Sequence, residues 1–238
     1  MKKIPCVIFD YSDACAGLLN FWLDKFSNYN NKFYISLKKI PKIDIDYEYS
    51  IRPTNFVTFP LNNKLDNKSV YVSKNFIKVL KDHKIKHVFI CNSNMKEREY
   101  IYNQCTKNNI FVENFIHPNA ILAGKNVIGK GSIIFPNSYI GYKTVIGNCV
   151  IIQASCSIDH HSLIEDFCHI NPNVCTGGGV LVKSKTLISI SSTISNRVSI
   201  GSNVIIGAKS LVLKDVRDNV VAYGSPIKII RKNILKDL

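Results

Sequence analysis

The chain has eight cysteines but no Cys-x-x-Cys pair, so the spacing that builds zinc knuckles and dithiol redox centres is absent. It also lacks any uncharged apolar run approaching the ~18 residues of a membrane-spanning helix. Acidic residues are scarce, 17 against 31 lysines and arginines, and the net charge is +14. Yet the basic residues are scattered. There is no tight arginine cluster and no basic strip interleaved with aromatics, which removes the usual footprint of a nucleic-acid binder. What remains for such a charge is attraction of polyanionic small molecules. The apolar run behind Met1-Lys2-Lys3 is too short for a signal-peptide core, and no small-residue cleavage site follows it. A first β-strand, a cytoplasmic location and free, buried thiols are therefore expected. With 46% hydrophobic residues over 238 positions, the chain can fill one large core or two modest ones.

From Ile116 onward the sequence runs in six-residue units without a gap. The first residue of seventeen successive units, Ile116, Leu122, Ile128 and so on to Val212, is a branched aliphatic in all but one, Thr176. The fifth residue of each unit is small except at Asn126. A period of six matches neither the strand period of two nor the helix period of about 3.6. It requires a short strand and a turn in every unit, with one large and one small side chain turned inward so that layers pack. Glycine at the second position (Gly129, Gly141, Gly147, Gly201, Gly207) is expected to serve a turn with unusual dihedrals. The reading is a parallel β-helix over residues 115–217, with residues 218–238 as a C-terminal tail.

Residues 1–114 lack the period. Strand-like runs at Pro5–Phe9, Phe33–Leu37 and His87–Cys91 alternate with helix-like stretches at Ala14–Phe26, Asn75–His83 and Lys96–Asn108. That alternation is the pattern of a small parallel α/β domain. The Pro/Asn-rich stretch from Ile40 to Asp66 is left unassigned.

Units such as Ile128-Gly129-Lys130-Gly131-Ser132-Ile133 and Ile200-Gly201-Ser202-Asn203-Val204-Ile205 resemble those of the hexapeptide-repeat transferases. The junction Phe115-Ile116-His117-Pro118-Asn119-Ala120 is similar to that of their sugar O- and N-acetyltransferases. Looser matches come from Phe89 to Asn94 with Arg98 and from Tyr223-Gly224-Ser225-Pro226. The resemblance implies a Rossmann-like α/β domain at 1–114, then a left-handed parallel β-helix with three units per coil. It also implies a homotrimer with active sites between subunits, and acetyl-CoA as co-substrate without a metal. The implied reaction is N-acetylation of a UDP-, dTDP- or GDP-linked 4-amino-4,6-dideoxy sugar in glycan biosynthesis. The alternative is O-acetylation of sialic acid or another sugar, and a non-enzymatic scaffold is a third reading.

Acyl transfer from a thioester needs a base, a donor for the oxyanion and a slot beside the nucleophile. Three of the six histidines cluster, at His160, His161 and His169. By register His160 and His161 point away from the core, where packing gives them no reason to exist, and histidine is the natural base near neutral pH. Gly178 lies eighteen residues, one coil, beyond His160, and its N–H is the candidate oxyanion donor. The resemblance implies the base at His160, with His161 where a carboxylate usually orients it. It implies acetyl-CoA contacts at His169, Ile190 and Ala208, and sugar-nucleotide contacts in the first turn and after a later strand, at Tyr11, Ser12, Asp13 and Asn92. The first turn departs from the family. Asp10-Tyr11-Ser12-Asp13-Ala14-Cys15-Ala16-Gly17 lacks the close-approach glycines of a phosphate-binding turn and carries two carboxylates. Lys228, Arg231 and Lys232 are candidates for CoA phosphates or for a solvated basic helix end. Trimeric carbonic-anhydrase-type zinc sites share this fold, but His160, His161 and His169 do not offer ligands stacked one coil apart.

Overall fold

The computed structural model describes residues 3–10, 13–37, 64–65 and 68–233. They divide into two compact units, residues up to 92 with 101–112, and residues 93–100 with 113 onward.

In the first unit β1 (Ile4–Phe9) is flanked by two parallel neighbours, β2 (Tyr29–Ser36) and β5 (His87–Ile90). The short β3 (Lys64–Leu65), β4 (Lys68–Val72) and β6 (Phe111–Val112) complete a sheet of order β3-β4-β2-β1-β5-β6, antiparallel only between β3 and β4. After a single π turn at Asp13–Gly17, α1 (Leu18–Phe26) crosses from β1 to β2. α2 (Phe76–Asp82) connects β4 to β5, and α3 (Met95–Lys107) connects β5 to β6. The buried runs Cys6–Phe9, Phe33–Ser36 and Val88–Ile90 are what a parallel sheet covered on both faces requires. β1 and β2 do not pair evenly. Cys6 opposes Asn31 while Ile8 opposes Tyr34, so β2 carries one extra residue, a β-bulge. The expected helix from Ala14 becomes α-helical only at Leu18, and β2 begins at Tyr29 rather than Phe33. Most of the unassigned stretch Ile40–Asp66 lies outside the described residues.

In the second unit every six-residue unit forms one two-residue strand, from Phe115–Ile116 to Leu211–Val212. Each pairs in parallel with the strand one coil on, as in Ile134↔Ile152↔Ile170↔Ile188↔Ile206. The three resulting sheets are the faces of a left-handed β-helix. The unit-opening aliphatics fill its axis and are buried from Ile134 to Val212, each contributing roughly 1.5–3 kcal/mol. The small fifth residues have a second task. Ser132 Oγ donates to Gly147 O at 2.8 Å and accepts from Val150 N at 3.0 Å, and Thr186 repeats this with Gly201 O and Val204 N. Cys168 Sγ donates to Lys183 O at 3.1 Å. Burial pushes the Cys156 and Cys168 thiols up to about 12, so they serve as packing groups. None of the eight cysteines is in a disulfide, but not all are buried: Cys175 is exposed and Cys15 is half-buried.

The second-position glycines do not serve unusual dihedrals. Gly129, Gly141, Gly147, Gly201 and Gly207 have no positive φ. A Cβ on Gly129 would stand 2.5 Å from the Gly147 carbonyl carbon, so this position needs room between coils. The left-handed conformation falls at the fourth position instead. From Lys125 to Lys209 every fourth residue has φ between 50° and 76°, and only Gly131 and Gly179 among them are glycines. The tail is a hairpin of Val220–Gly224 and Ile227–Lys232, so Lys228, Arg231 and Lys232 sit on a strand and not at a helix end. No helix among the described residues is long and apolar enough to cross a membrane.

Candidate active site

The third residue of each unit stands at a corner between two faces. One corner column reads Gly124, Tyr142, His160, Gly178 and Asn196, one residue per coil. His160 and its neighbour His161 are both exposed there. His161 occupies the left-handed fourth position, with φ 56°, which swings its ring beside that of His160. Their Nδ1 atoms are 3.0 Å apart and their rings are nearly perpendicular. Two facing Nδ1 atoms share one proton. When His160 donates it, His160 Nε2 is left with a lone pair directed away from the pair. Asp159 does not take the carboxylate's usual place behind the base, because its Oδ1 accepts the backbone N–H of His160 at 2.7 Å.

Gly178 is what seats the base. A Cβ there would lie 2.5 Å from His160 Cε1 and 2.7 Å from Nε2, so the imidazole rests directly on the Gly178 backbone. The neighbouring amides are committed to the coil: Gly177 N–H donates to Ile194 O and Gly179 N–H to His160 O. Gly178 N–H makes no hydrogen bond with the described residues. Tyr142, one coil before His160, was not foreseen. Its ring meets that of His161 edge-on at 6.1 Å, with Lys143 and Lys125 ammonium groups 5.4 and 5.8 Å from its own centroid. Its signal in the sequence is the same eighteen-residue step that links His160 to Gly178.

The other expected contact residues lie elsewhere. Ile190 and Ala208 are exposed third-position residues one coil apart, but on a different corner of the helix from His160. His169 lies on a face and is only 4% exposed. Its Nε2 is 3.0 Å from the Gln153 amide nitrogen, and it hydrogen-bonds the Ser93 backbone. Burial, then the nearby Arg98 guanidinium, pushes its pKa down to about 3, so the ring is neutral. His169 is thus a neutral ring held in a buried network. Arg98 itself is fully buried. It donates to the carbonyls of Ser93, Cys149, Phe167 and Cys168 at 2.8–3.1 Å, stapling the start of α3 to two successive coils.

In the first unit the sheet order reverses direction at β1 and β5, whose carboxyl ends form the crevice where such sheets bind ligands. Asp10 closes β1 there and is 8% exposed. Its carboxylate and the Cys15 and Cys91 sulfurs lie within 4.8 Å of one another. Asn92 follows, half-buried. Asp13 opens the π turn, while Tyr11 and Ser12 lie outside the described residues.

No family model matches the chain. Over 64 residues it is 44% identical to galactoside O-acetyltransferase of Lactococcus lactis, a stretch covering 27% of this chain and 25% of that one. The chain spans 25–29% of the length of the curated relatives it matches. Among solved structures it is similar to a variant of perosamine N-acetyltransferase from Caulobacter crescentus in complex with CoA and GDP-perosamine. That likeness has a TM-score of 0.79 at 19% identity and covers 96% of this chain and 97% of the other. It is also similar to the acetyltransferase domain of PglB from Neisseria gonorrhoeae in complex with acetyl coenzyme A, with a TM-score of 0.78 at 17% identity, covering 96% and 100%. These likenesses establish the fold, an α/β domain followed by a left-handed hexapeptide β-helix.

Proposed function

We propose that this chain is a cytoplasmic, acetyl-CoA-dependent N-acetyltransferase that acts on a nucleotide-linked 4-amino-4,6-dideoxy sugar for glycan assembly. The observation that carries the reading is the seating of His160. An exposed imidazole rests on Gly178, is oriented through Nδ1 by His161, and leaves Nε2 open toward a ligand. That is the arrangement of a general base. The acceptor amine attacks the thioester carbonyl, the C–N bond forms, and His160 Nε2 takes the proton. Gly178 N–H donates to the oxyanion. The C–S bond then breaks, and the proton held by His160 is returned to the thiolate of CoA. The structures of similar fold that hold CoA, GDP-perosamine or acetyl coenzyme A support this class of reactants.

Ile190 and Ala208 form the acetyl-CoA wall in this reading, with His169 fixing the face that leads to it. Because that wall and the base occupy different corners of one helix, the active form is a closed homotrimer that brings corners of neighbouring copies together. Asn92 and the turn at Tyr11, Ser12 and Asp13 receive the nucleotide sugar. A second reading, transfer to a sugar hydroxyl, is favoured by the sequence after β1, which carries two carboxylates and lacks the close-approach glycines of a pyrophosphate-binding turn. The deciding experiment incubates the protein and acetyl-CoA with UDP-, dTDP- and GDP-linked 4-amino sugars, free galactosides and sialic acid, and weighs the products. Acetylation of an amino sugar nucleotide supports the first reading. Acetylation of hydroxyl acceptors alone replaces it with the second, and no transfer to any acceptor overturns both.

A further inference from the structure

The corner that carries His160 also carries a line of cations. Its fourth positions, one per coil, read Lys125, Lys143, His161, Gly179 and Arg197. Lys125 and Lys143 are exposed, and their φ angles of 52° and 57° match the 56° of His161, so all three side chains leave the backbone in the same way. Both ammonium groups converge on the exposed ring of Tyr142, at 5.8 and 5.4 Å from its centroid. Neither pairs with a carboxylate among the described residues. Asp159, at the second position of the same corner, turns its Oδ1 to the backbone N–H of His160. Two like charges gathered on one ring without a counter-ion repel each other, and an anion bound between them replaces that repulsion with attraction.

Height along the helix selects the anion. The strands of each face stack in sequence order, so Lys143 stands one coil and Lys125 two coils before His161, at about 4.8 Å per coil. Ile190 and Ala208 lie on coils after it. A three-fold axis along the helix leaves these heights unchanged when corners of neighbouring copies meet. Acetyl-CoA on its wall therefore reaches the base from the carboxyl-terminal side, and the two lysines stand on the side left to the acceptor. The rings follow the same division. Tyr142 lies back toward Gly124, where a Cβ would be 4.0 Å from its Cδ2, while His160 lies forward on Gly178. The sequence after β1 lacks the glycines of a pyrophosphate-binding turn, so charge for a diphosphate has to come from side chains. A nucleotide-linked sugar carries one negative charge on each of its two phosphates, which two ammonium groups balance.

Resting on the reading of this corner as an acyltransferase site, we infer that Lys125 and Lys143 hold the diphosphate of a nucleotide-linked acceptor beside the base. The test compares Lys125→Met/Lys143→Met with a charge-matched control, Lys130→Met/Lys183→Met, whose lysines sit at another corner of the helix. Calorimetry with UDP, dTDP and GDP requires no activity. The intact wild-type chain is expected to bind at least one of them, the corner variant to bind it about tenfold or more weakly, and the control to match wild type. In the acetyl-transfer assay with a nucleotide-linked 4-amino sugar, the corner variant is expected to raise the KM of the acceptor by a similar factor, with the KM of acetyl-CoA near wild type. A rise in the KM of acetyl-CoA alone assigns the lysines to the phosphates of CoA and overturns the inference. So does equal nucleoside diphosphate binding in wild type and corner variant, a loss that the control shares, or no binding by the wild type. Failure of the proposed reaction reads differently: the wild type then acetylates no amino sugar, and the calorimetry still decides on the lysines.

Discussion

His160 and His169 stand nine residues apart on one repeat, yet one imidazole is open at a corner and the other is sealed on a face. The residue type is the same, and so is the backbone that carries it. What differs is phase. His160 is third in its unit, and the third position one coil on is a glycine, so its ring has a floor and no neighbour beyond it. His169 is sixth in its unit, between Ile151 and Leu187 in a ladder, and Ser93 and Arg98 close over it. Position within six residues thus decides whether a histidine is available for proton transfer or held neutral in the interior.

The largest test of that contrast is His160→Ala. It is expected to lower kcat by about 10²–10⁴-fold in the acetyl-transfer assay, while acetyl-CoA binding by calorimetry stays near wild type. The sealed side is tested by Arg98→Leu. Removing the guanidinium leaves four carbonyls short of a donor, and chemical denaturation is expected to show a loss of about 3 kcal/mol or more. Gly178→Ala comes next. Its Cβ displaces the His160 ring, so kcat is expected to fall about 10²-fold, with an unfolding midpoint close to wild type.

The pH dependence of folding between pH 3 and 6.5 includes a contribution from His169. Its folded pKa of about 3 lies below the ordinary value of 6.5, so the unfolded chain binds the proton more readily. This contribution to stability is whole above pH 6.5 and is lost as pH falls toward 3, at up to about 1.4 kcal/mol per pH unit. Melting curves of His169→Gln are expected to lose that slope. The smallest effect is expected at His161. His161→Ala costs kcat less than His160→Ala does, and His161→Glu matches or exceeds wild type, because a carboxylate stabilises the protonated base better than a neutral ring. A His161→Glu variant slower than His161→Ala would remove the orienting role.

The repeat made the second unit legible residue by residue. An aliphatic every six positions can be buried only by stacking coils, so strands, corners and the outward facing of His160 followed from counting. Gly178 was found by the same count. What the count did not carry was the reason for each glycine. Room between coils and left-handed φ both select glycine, and only coordinates show that the second position needs the first and the fourth position the second. The burial of His169 was hidden for a different reason: the residues that cover it, Ser93 to Arg98, come from a distant, aperiodic part of the chain. In the first unit the strands were legible as apolar runs. The bulge in β2 depends on the register between β1 and β2, which no local pattern records.

The eighteen-residue coil also acts as a clock for length changes. Removing or adding one full coil returns every following residue to its own face and corner. A change of six residues keeps every strand and every left-handed turn, yet rotates the downstream chain by one face. Made between His160 and Gly178, it would put another corner's residue beneath the imidazole while leaving the core aliphatics in step. Stability and catalysis thus answer to different moduli of the same repeat: folding counts in sixes, and the active corner counts in eighteens.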